Sequence, residues 1–235
     1  MIVSINQPAY LPWLGYFQRI AMSDLHIILD HVQFEKNSFT NRNKIKTGNS
    51  WSWLTVPVKT KGKFGDLPIN SLEIDNNSNW RTKQWKTIIN NYCKANYFQE
   101  HQAFFELVYQ QDWQHLLQLC NEINHYLLKA FKISVPLLFS STINCKHSKD
   151  ELILELCQKV GASTYLSGSL GRNYIREELF QQAGIQVIYQ DYHHPKYPQC
   201  LEHTFEPYMS AIDLLFNCGS DSFKILMSGQ ENIQP

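Results

Sequence analysis

Residues 1–34 read MIVSI NQPAYLPWLGYFQRIAMSD LHIILDHVQF, and the punctuation of that stretch decides the fold. An apolar run of strand length at 1–5 meets a loop marked by Pro8 and Pro12. A helix follows with Leu14, Phe17, Ile20 and Ala21 at helical spacing, and a second apolar run occupies 25–29. Together these make a βαβ unit. Parallel strands are buried on both faces, so the polar residues just past them emerge along one carboxyl edge, where open α/β sheets bind ligands. Asn6, Gln7, Tyr10, Asp30, His31 and Gln33 fall on that edge, and Gly15 allows close approach at the start of the helix. The alternative is plainer: Gln7, Pro8 and Pro12 shape a turn and Asp30 closes a strand end.

The same alternation returns after Pro136. Ser148 with Glu151 reads as a capping box, the stripe Leu152, Ile153, Leu156 and Val160 predicts a helix over 149–160, and Gly161 stands where a left-handed C-terminal residue belongs. A strand at 163–166, the loop SGSLGRN at 167–173, a helix at 174–183 stopped by Gly184 and a strand at 185–189 complete a second βαβ unit. Backbone N–H groups around Ser167, Gly168 and Gly171, with Arg172, form a candidate phosphate contact, although SGSLGR matches no standard phosphate-loop fingerprint. His193, His194 and Gln199 follow the last strand. Adjacent histidines can serve as acid and base, but no cysteines or carboxylates stand at ligand spacing, so no metal site is expected. A final helix spans 209–217, and the polar tail from 220 is expected to fray.

Between the two units the chain is basic, then helical. From Lys36 to Gly65 there are seven Lys or Arg (36, 42, 44, 46, 59, 61 and 63) and no acid. Such a stretch is a solvated loop or a local positive field for an anionic ligand. Residues 36–49 read as a surface loop able to close over that ligand, 51–58 as a strand, 59–68 as a turn with two glycines, and 71–74 as a short strand. Residues 80–132 carry apolar stripes at helical period and predict two or three helices, whose aromatic residues belong to the core.

Composition bounds the function. The chain has 235 residues, 43% hydrophobic content and zero formal net charge, which suits one α/β domain over 1–219 with a helical segment at 80–132 and a tail at 220–235. Its mainly parallel sheet should have helices on both faces. There is no 18-residue apolar run and no basic leader, so a cytoplasmic protein without membrane insertion is expected. The six cysteines are widely spaced with no C-x-x-C pair, arguing against zinc knuckles and a disulfide framework. Lacking a broad basic surface, the chain is not expected to bind nucleic acid.

The segments QPAYLPWLGYFQRI, DLHIILDHVQFEKNSFTNRNKIK, WLTVPV, GASTYLSGSLGRNYI, HHPKYPQ and SAIDLLFNCG, in that order, resemble the WbqC-like family over about residues 1–219. That resemblance implies a role in bacterial surface-polysaccharide (O-antigen) biosynthesis, with glycine attached to a nucleotide-linked 4-amino sugar. The first strand, loop and helix are also similar, more distantly, to the nucleotidylyltransferases and pantothenate synthetase, which share an HxGH motif in a Rossmann-like (HUP-type) sheet. Here Trp13, Leu14, Gly15 and Tyr16 occupy the HxGH positions, so the two phosphate-stabilising histidines are missing.

Two functional readings stand on these residues. In the first, an aminoacyl transferase holds a nucleotide sugar: Lys36, Asn41, Arg42 and Lys44 with the Ser167, Gly168, Gly171 and Arg172 loop grip the diphosphate. Tyr10, Tyr16 or Phe34 stack on base or sugar, Gln7, Gln33, His193 and Gln199 supply polar contacts, and Asp30 or His194 takes the amine proton. The cofactor is open, with ATP or another nucleotide as the candidate, and so is the oligomeric state. In the second, a catalytically silent module binds the same nucleotide sugar; a nucleotidylyltransferase-like enzyme is a further alternative.

Overall fold

Met1 leads directly into the central strand of a parallel sheet. The computed structural model describes residues 1–48, 50–62, 65–200 and 204–229. In chain order the elements are β1 (Ile2–Asn6), α1 (Leu14–Ala21), β2 (Leu25–Ile28), β3 (Arg42–Thr47), β4 (Ser50–Thr55), α2 (Trp80–Tyr92), α3 (Phe98–Gln110) and α4 (Leu116–Ala130). There follow β5 (Leu137–Phe139), α5 (Lys149–Lys159), β6 (Thr164–Ser167), α6 (Glu177–Gln182), β7 (Gln186–Tyr189), α7 (Ala211–Cys218) and α8 (Ser222–Ser228).

Five strands pair in the order β5-β2-β1-β6-β7, every neighbour parallel. This is a Rossmann-like arrangement with the strand order reversing beside β1. Alternation along β1 explains the layering: Val3 and Ile5, in register with Leu25 and Ile27, pack beneath Leu152, Leu156 and Phe180 of α5 and α6. Ser4 and His26 face the opposite side, where Leu14, Phe17 and Ile20 of α1 enter a larger core. That core also takes in Ile45 and Leu54 of the β3–β4 hairpin and the inward stripes of α2, α3, α4 and α7. Helices therefore cover both faces.

The first βαβ unit matches its expected bounds closely, and residues 80–132 form three helices. Other segments differ from expectation. Residues 42–47 are not a mobile loop but β3, paired with β4 along its whole length. Two of its polar side chains are buried because each finds a partner: Asn43 donates to Leu11 O at 2.6 Å, and Lys46 Nζ donates to Gln199 Oε1 and Thr204 O, both at 3.2 Å. The 71–74 segment gives a 3-10 turn at Ile69–Ser71 and an isolated bridge between Ile74 and Val58. Ser148 stands at the N-cap of α5, but its side chain makes no capping bond, and Glu151 pairs with Arg176 instead. The expected helix at 174–183 shortens to α6, preceded by a 3-10 turn at Ser169–Asn173. β5, unanticipated, extends the sheet beyond β2. The tail does not fray at 220: α8 packs on α1, with Leu226 buried and its carbonyl accepting from Gln18 Nε2 at 3.1 Å. Lys63 of the basic run and residues 230–235 of the tail lie outside the described residues.

One buried cluster ties α2, the β3–β4 hairpin, α7 and the segment after β7 to one another. Asp213 of α7 is fully buried; its Oδ1 accepts from Tyr92 at 2.8 Å, and its Oδ2 accepts from Tyr197 at 2.9 Å and Gln199 Nε2 at 2.7 Å. Burial pushes its carboxyl up, while these donors and nearby Lys46 oppose the shift. Removing it would strand three donors and a buried ammonium. Asp213→Ala is expected to lower the unfolding free energy by about 3–5 kcal/mol, measured by urea denaturation.

His26 generates a second prediction. It is fully buried under α1, with Nδ1 2.8 Å from Ser4 Oγ, and burial, reinforced by Arg19, pulls its pKa from 6.5 down to about 3. Between pH 6.5 and 3 the unfolded chain takes a proton that the folded chain refuses, so stability falls as the pH drops through that window. This group contributes a slope of up to about 1.4 kcal/mol per pH unit. His26→Asn keeps a donor toward Ser4 and does not titrate. Denaturation curves across this range should show a shallower decline for the variant.

Candidate functional site

The carboxyl ends of β1 and β6 lie side by side, but their loops diverge, because β1 continues through α1 to β2 and β6 through α6 to β7 on the opposite side. Divergence of this kind opens a crevice at the edge of an α/β sheet. Arg19 of α1 reaches into it. Its Nη2 donates to Asn6 Oδ1 at the end of β1, and its Nη1 fills the space that a Cβ on Gly168 would occupy. A side chain at 168 would therefore displace the guanidinium from this position.

No carboxylate among the described residues pairs with Arg19. Burial lowers its pKa, and the phenols of Tyr165, Tyr16 and Tyr174 are its electrostatic neighbours. An arginine nevertheless keeps its charge at any physiological pH. Two donors in the crevice, Arg19 Nε and Asn6 Nδ2, are shielded from solvent and have no partner. A cation without a counterion, beside two idle donors, is chemistry for an anionic oxygen ligand such as a phosphate or carboxylate.

Of the loop after β6, Ser167 is buried with its hydroxyl donating to Gly168 O, and Gly171 leaves no room for a side chain against Ser167 Oγ. The N–H groups of Gly171, Tyr174 and Ile175 are spent on Gly168 O and Gly171 O within the 3-10 turn, so they offer no backbone cradle for a phosphate. Arg172 stacks over Tyr189, 4.2 Å from the ring centre, on the exposed side.

Gln7 joins the crevice to the basic hairpin, its Oε1 accepting from Thr40 Oγ1 at 3.4 Å. Next to Thr40, Phe34, Lys36, Asn41 and Arg42 share the wall of a hollow of about 230 Å³. Arg42 Nη2 donates to Asn37 O at 2.6 Å, its guanidinium lies 4.3 Å from the Trp53 ring centre, and its Nε has no partner. Lys44 sits 3.9 Å above Trp51. The hairpin therefore presents alternating cations and aromatic faces, with Trp51 and Phe39 exposed.

Several expected contacts are committed to structure. Tyr10 is fully buried among the inserted helices, its hydroxyl bonded to Gln84 Oε1 at 2.7 Å and to Tyr109. It lines no cleft at the edge, because the loop after β1 folds under the hairpin. Tyr16 is also buried, with its ring edge-on to Phe17 and His26. Gln33 holds the neighbouring segment through Phe34 O and Leu67 N. Asp30 is buried: Oδ1 accepts from Ser140 Oγ at 3.0 Å and Ser141 N at 2.9 Å, and Oδ2 from Ser141 Oγ at 2.6 Å. It fastens the end of β2 to the end of β5. Gln199 belongs to the Asp213 cluster.

His194 lies in an aromatic cage of Tyr192, Tyr197, Phe205 and Tyr208. Its Nε2 accepts from Tyr208 N at 3.2 Å, which leaves Nδ1–H to donate to Tyr192 Oη at 2.8 Å, and burial pulls its pKa down to about 4. His193 is exposed, with Nε2 3.4 Å from Asp191. No group of three or more metal-ligating side chains occurs among the described residues.

Arg19 is the residue that the motif reading missed. Its position in the last turn of α1 reads as a favourable interaction with the helix dipole, and only the strand order shows that this turn overhangs the crevice.

Comparison with known proteins places the chain. An uncharacterized protein of Mycobacterium tuberculosis, Rv1507c, is 35% identical over 221 residues, covering 94% of this chain and 95% of that protein. No solved structure is significantly similar. No described helix is long and apolar enough to cross a membrane. A profile of the WbqC-like protein family matches residues 7–225, and with the relative just described it establishes that the chain belongs to the WbqC-like protein family.

Proposed function

We propose that this protein is a transferase that binds a nucleotide-linked amino sugar by its diphosphate and attaches an aminoacyl group, such as glycine, to the sugar amine in bacterial surface-polysaccharide biosynthesis. The observation that carries the binding step is the unpaired Arg19 guanidinium at the strand-order reversal, with Arg19 Nε and Asn6 Nδ2 both lacking an acceptor. A diphosphate oxygen supplies that acceptor and the missing charge. Arg42, Lys44 and the rings of Trp51 and Trp53 support the nucleotide end of the reading, since a base can stack on an exposed indole beside a cation.

In the transfer, the amine nitrogen forms the new bond to the acyl carbonyl, the donor's activating group departs with the bonding pair, and the amine gives up a proton. Asp30 and His194 were the groups expected to take it. Asp30 is bonded through both oxygens to Ser140 and Ser141, and His194 is held at both nitrogens. That double commitment favours a second reading, in which the chain binds the nucleotide sugar and delivers it without chemistry.

Arg19→Met should weaken nucleotide-sugar binding by about 1.5–3 kcal/mol in calorimetric titration, and Gly168→Ala, which forces the guanidinium aside, should act in the same direction. Equal affinity in wild type and both variants would remove the diphosphate role. Arg42→Ala tests the hairpin separately: a loss of about 1 kcal/mol is expected in the same titration, with little change in thermal stability because the side chain is only partly buried. Supplying glycine and ATP, or an activated acyl donor, separates the two readings, since binding without turnover selects the delivery module.

A further inference from the structure

A second cavity lies away from the crevice, between α4 and the face of the sheet formed by β2 and β5. Its volume is about 640 Å³, and its wall includes Tyr16, His26, Trp113, Gln118, Asn121 and Asn124. No lysine or arginine lines it, and its acids are Asp112, which pairs with Arg81, and Glu122. A phosphate or carboxylate would find no lysine or arginine as countercharge in that wall, whose remaining ionisable bases are His26 and His125.

The hydrogen-bond chain behind His26 determines what the cavity asks for. Ser23 Oγ–H donates to Ile20 O at 2.8 Å, so the 2.8 Å contact between Ser23 and Ser4 is made by the Ser4 proton. Ser4 Oγ, its proton spent, must accept from His26 Nδ1–H at 2.8 Å. The imidazole is thereby locked with a bare lone pair on Nε2, and that atom has no partner. Asn124 is oriented in the same way. Its Nδ2 donates to Ala9 O at 3.1 Å, leaving Oδ1 as an acceptor that is also unpartnered. Both side chains are at least nine-tenths buried, His26 at 0% exposure and Asn124 at 8%. Buried acceptors left idle are costly, so two in the wall of one cavity call for donors from outside the chain.

We infer that this cavity binds a sugar, neutral or bearing a free amine, whose hydroxyl or amino groups donate to His26 Nε2 and Asn124 Oδ1. The amides of Gln118 and Asn121 both give and accept hydrogen bonds, as sugar hydroxyls do, and Trp113 and Tyr16 supply apolar wall for the C–H surface of a pyranose. Non-anionic ligands are selected by the absence of lysine and arginine. The assignment rests on other atoms than the diphosphate reading, His26 Nε2 and Asn124 Oδ1 rather than Arg19 Nε and Asn6 Nδ2.

The test is a titration of the isotope-labelled protein with glucose, glucosamine and glucuronate, followed through the histidine side-chain nitrogen resonances. His26 is assigned by its disappearance in His26→Asn. Free protein should show His26 in the Nδ1–H form, and glucose or glucosamine should shift its Nε2 signal while glucuronate leaves it in place. Asn124→Leu should weaken that binding about 3- to 10-fold. An Nε2–H tautomer, no shift with either non-anionic sugar, or glucuronate binding as tightly as glucosamine would each overturn the inference. The wild-type spectra, with His26 assigned from His26→Asn, decide these outcomes if the Asn124 variant does not fold.

Discussion

A single buried carboxylate holds together parts of the chain that the sheet does not reach. Asp213 collects Tyr92 from α2 and Tyr197 and Gln199 from the segment after β7, while Gln199 in turn receives Lys46 from β3. Hydrophobic contact could bring these elements near one another, but it is indifferent to their rotation. Directional bonds to one carboxylate are not, and a core built of polar partners demands that every member be satisfied at once. The hairpin's orientation, and with it the direction of Arg42 and Lys44, follows from where Lys46 is anchored.

The carboxyl edge is organised by close approach. Trp13 lies across Gly15, where a Cβ would run into its ring, and Arg19 lies across Gly168 in the same manner. Behind them Gln190 donates to Gly15 O at 3.0 Å and Gln18 Oε1 at 2.8 Å, so the end of β7 is fixed to α1. A rigid backing of this kind keeps a guanidinium aimed without a carboxylate to hold it. The β1–β6 edge and the cavity over β2 and β5 then differ in sign: one offers a cation and spare donors, the other spare acceptors and no lysine or arginine.

How much of this could be read from residues alone depends on how local the determining interaction is. The bounds of α1 were legible because Leu14, Phe17 and Ile20 repeat at helical spacing and all enter one buried core. The buried, parallel placement of β1 followed from its mainly apolar run, interrupted by Ser4. β5 was not legible, because three residues between Pro136 and a 3-10 turn carry no periodic signal. β3 read as loop because Asn43 and Lys46 look like surface residues until their partners, distant in sequence, are known. The same reason hid the fate of Asp30: the residue was correctly put at a strand end, but the serines that occupy its oxygens arrive with β5. Gln7, Asn41 and Arg42 were recognisable as neighbours of the edge, whereas Arg19 and Asn124 gained significance only from topology and from a count of unsatisfied atoms.

The separation of β2 from β5 also bears on how the chain is made. These two strands are adjacent in the sheet, yet residues 29–136 lie between them, including the hairpin and three helices. During synthesis β2 therefore leaves the ribosome long before its outer neighbour, and its free edge is a place where another chain could pair. Contacts of such long sequence separation form slowly. The short, three-residue β5 closes that edge late, and the Asp30 clasp to Ser140 and Ser141 makes its arrival hard to reverse. Once it has docked, the sheet presents as its new border a strand too brief to recruit a partner.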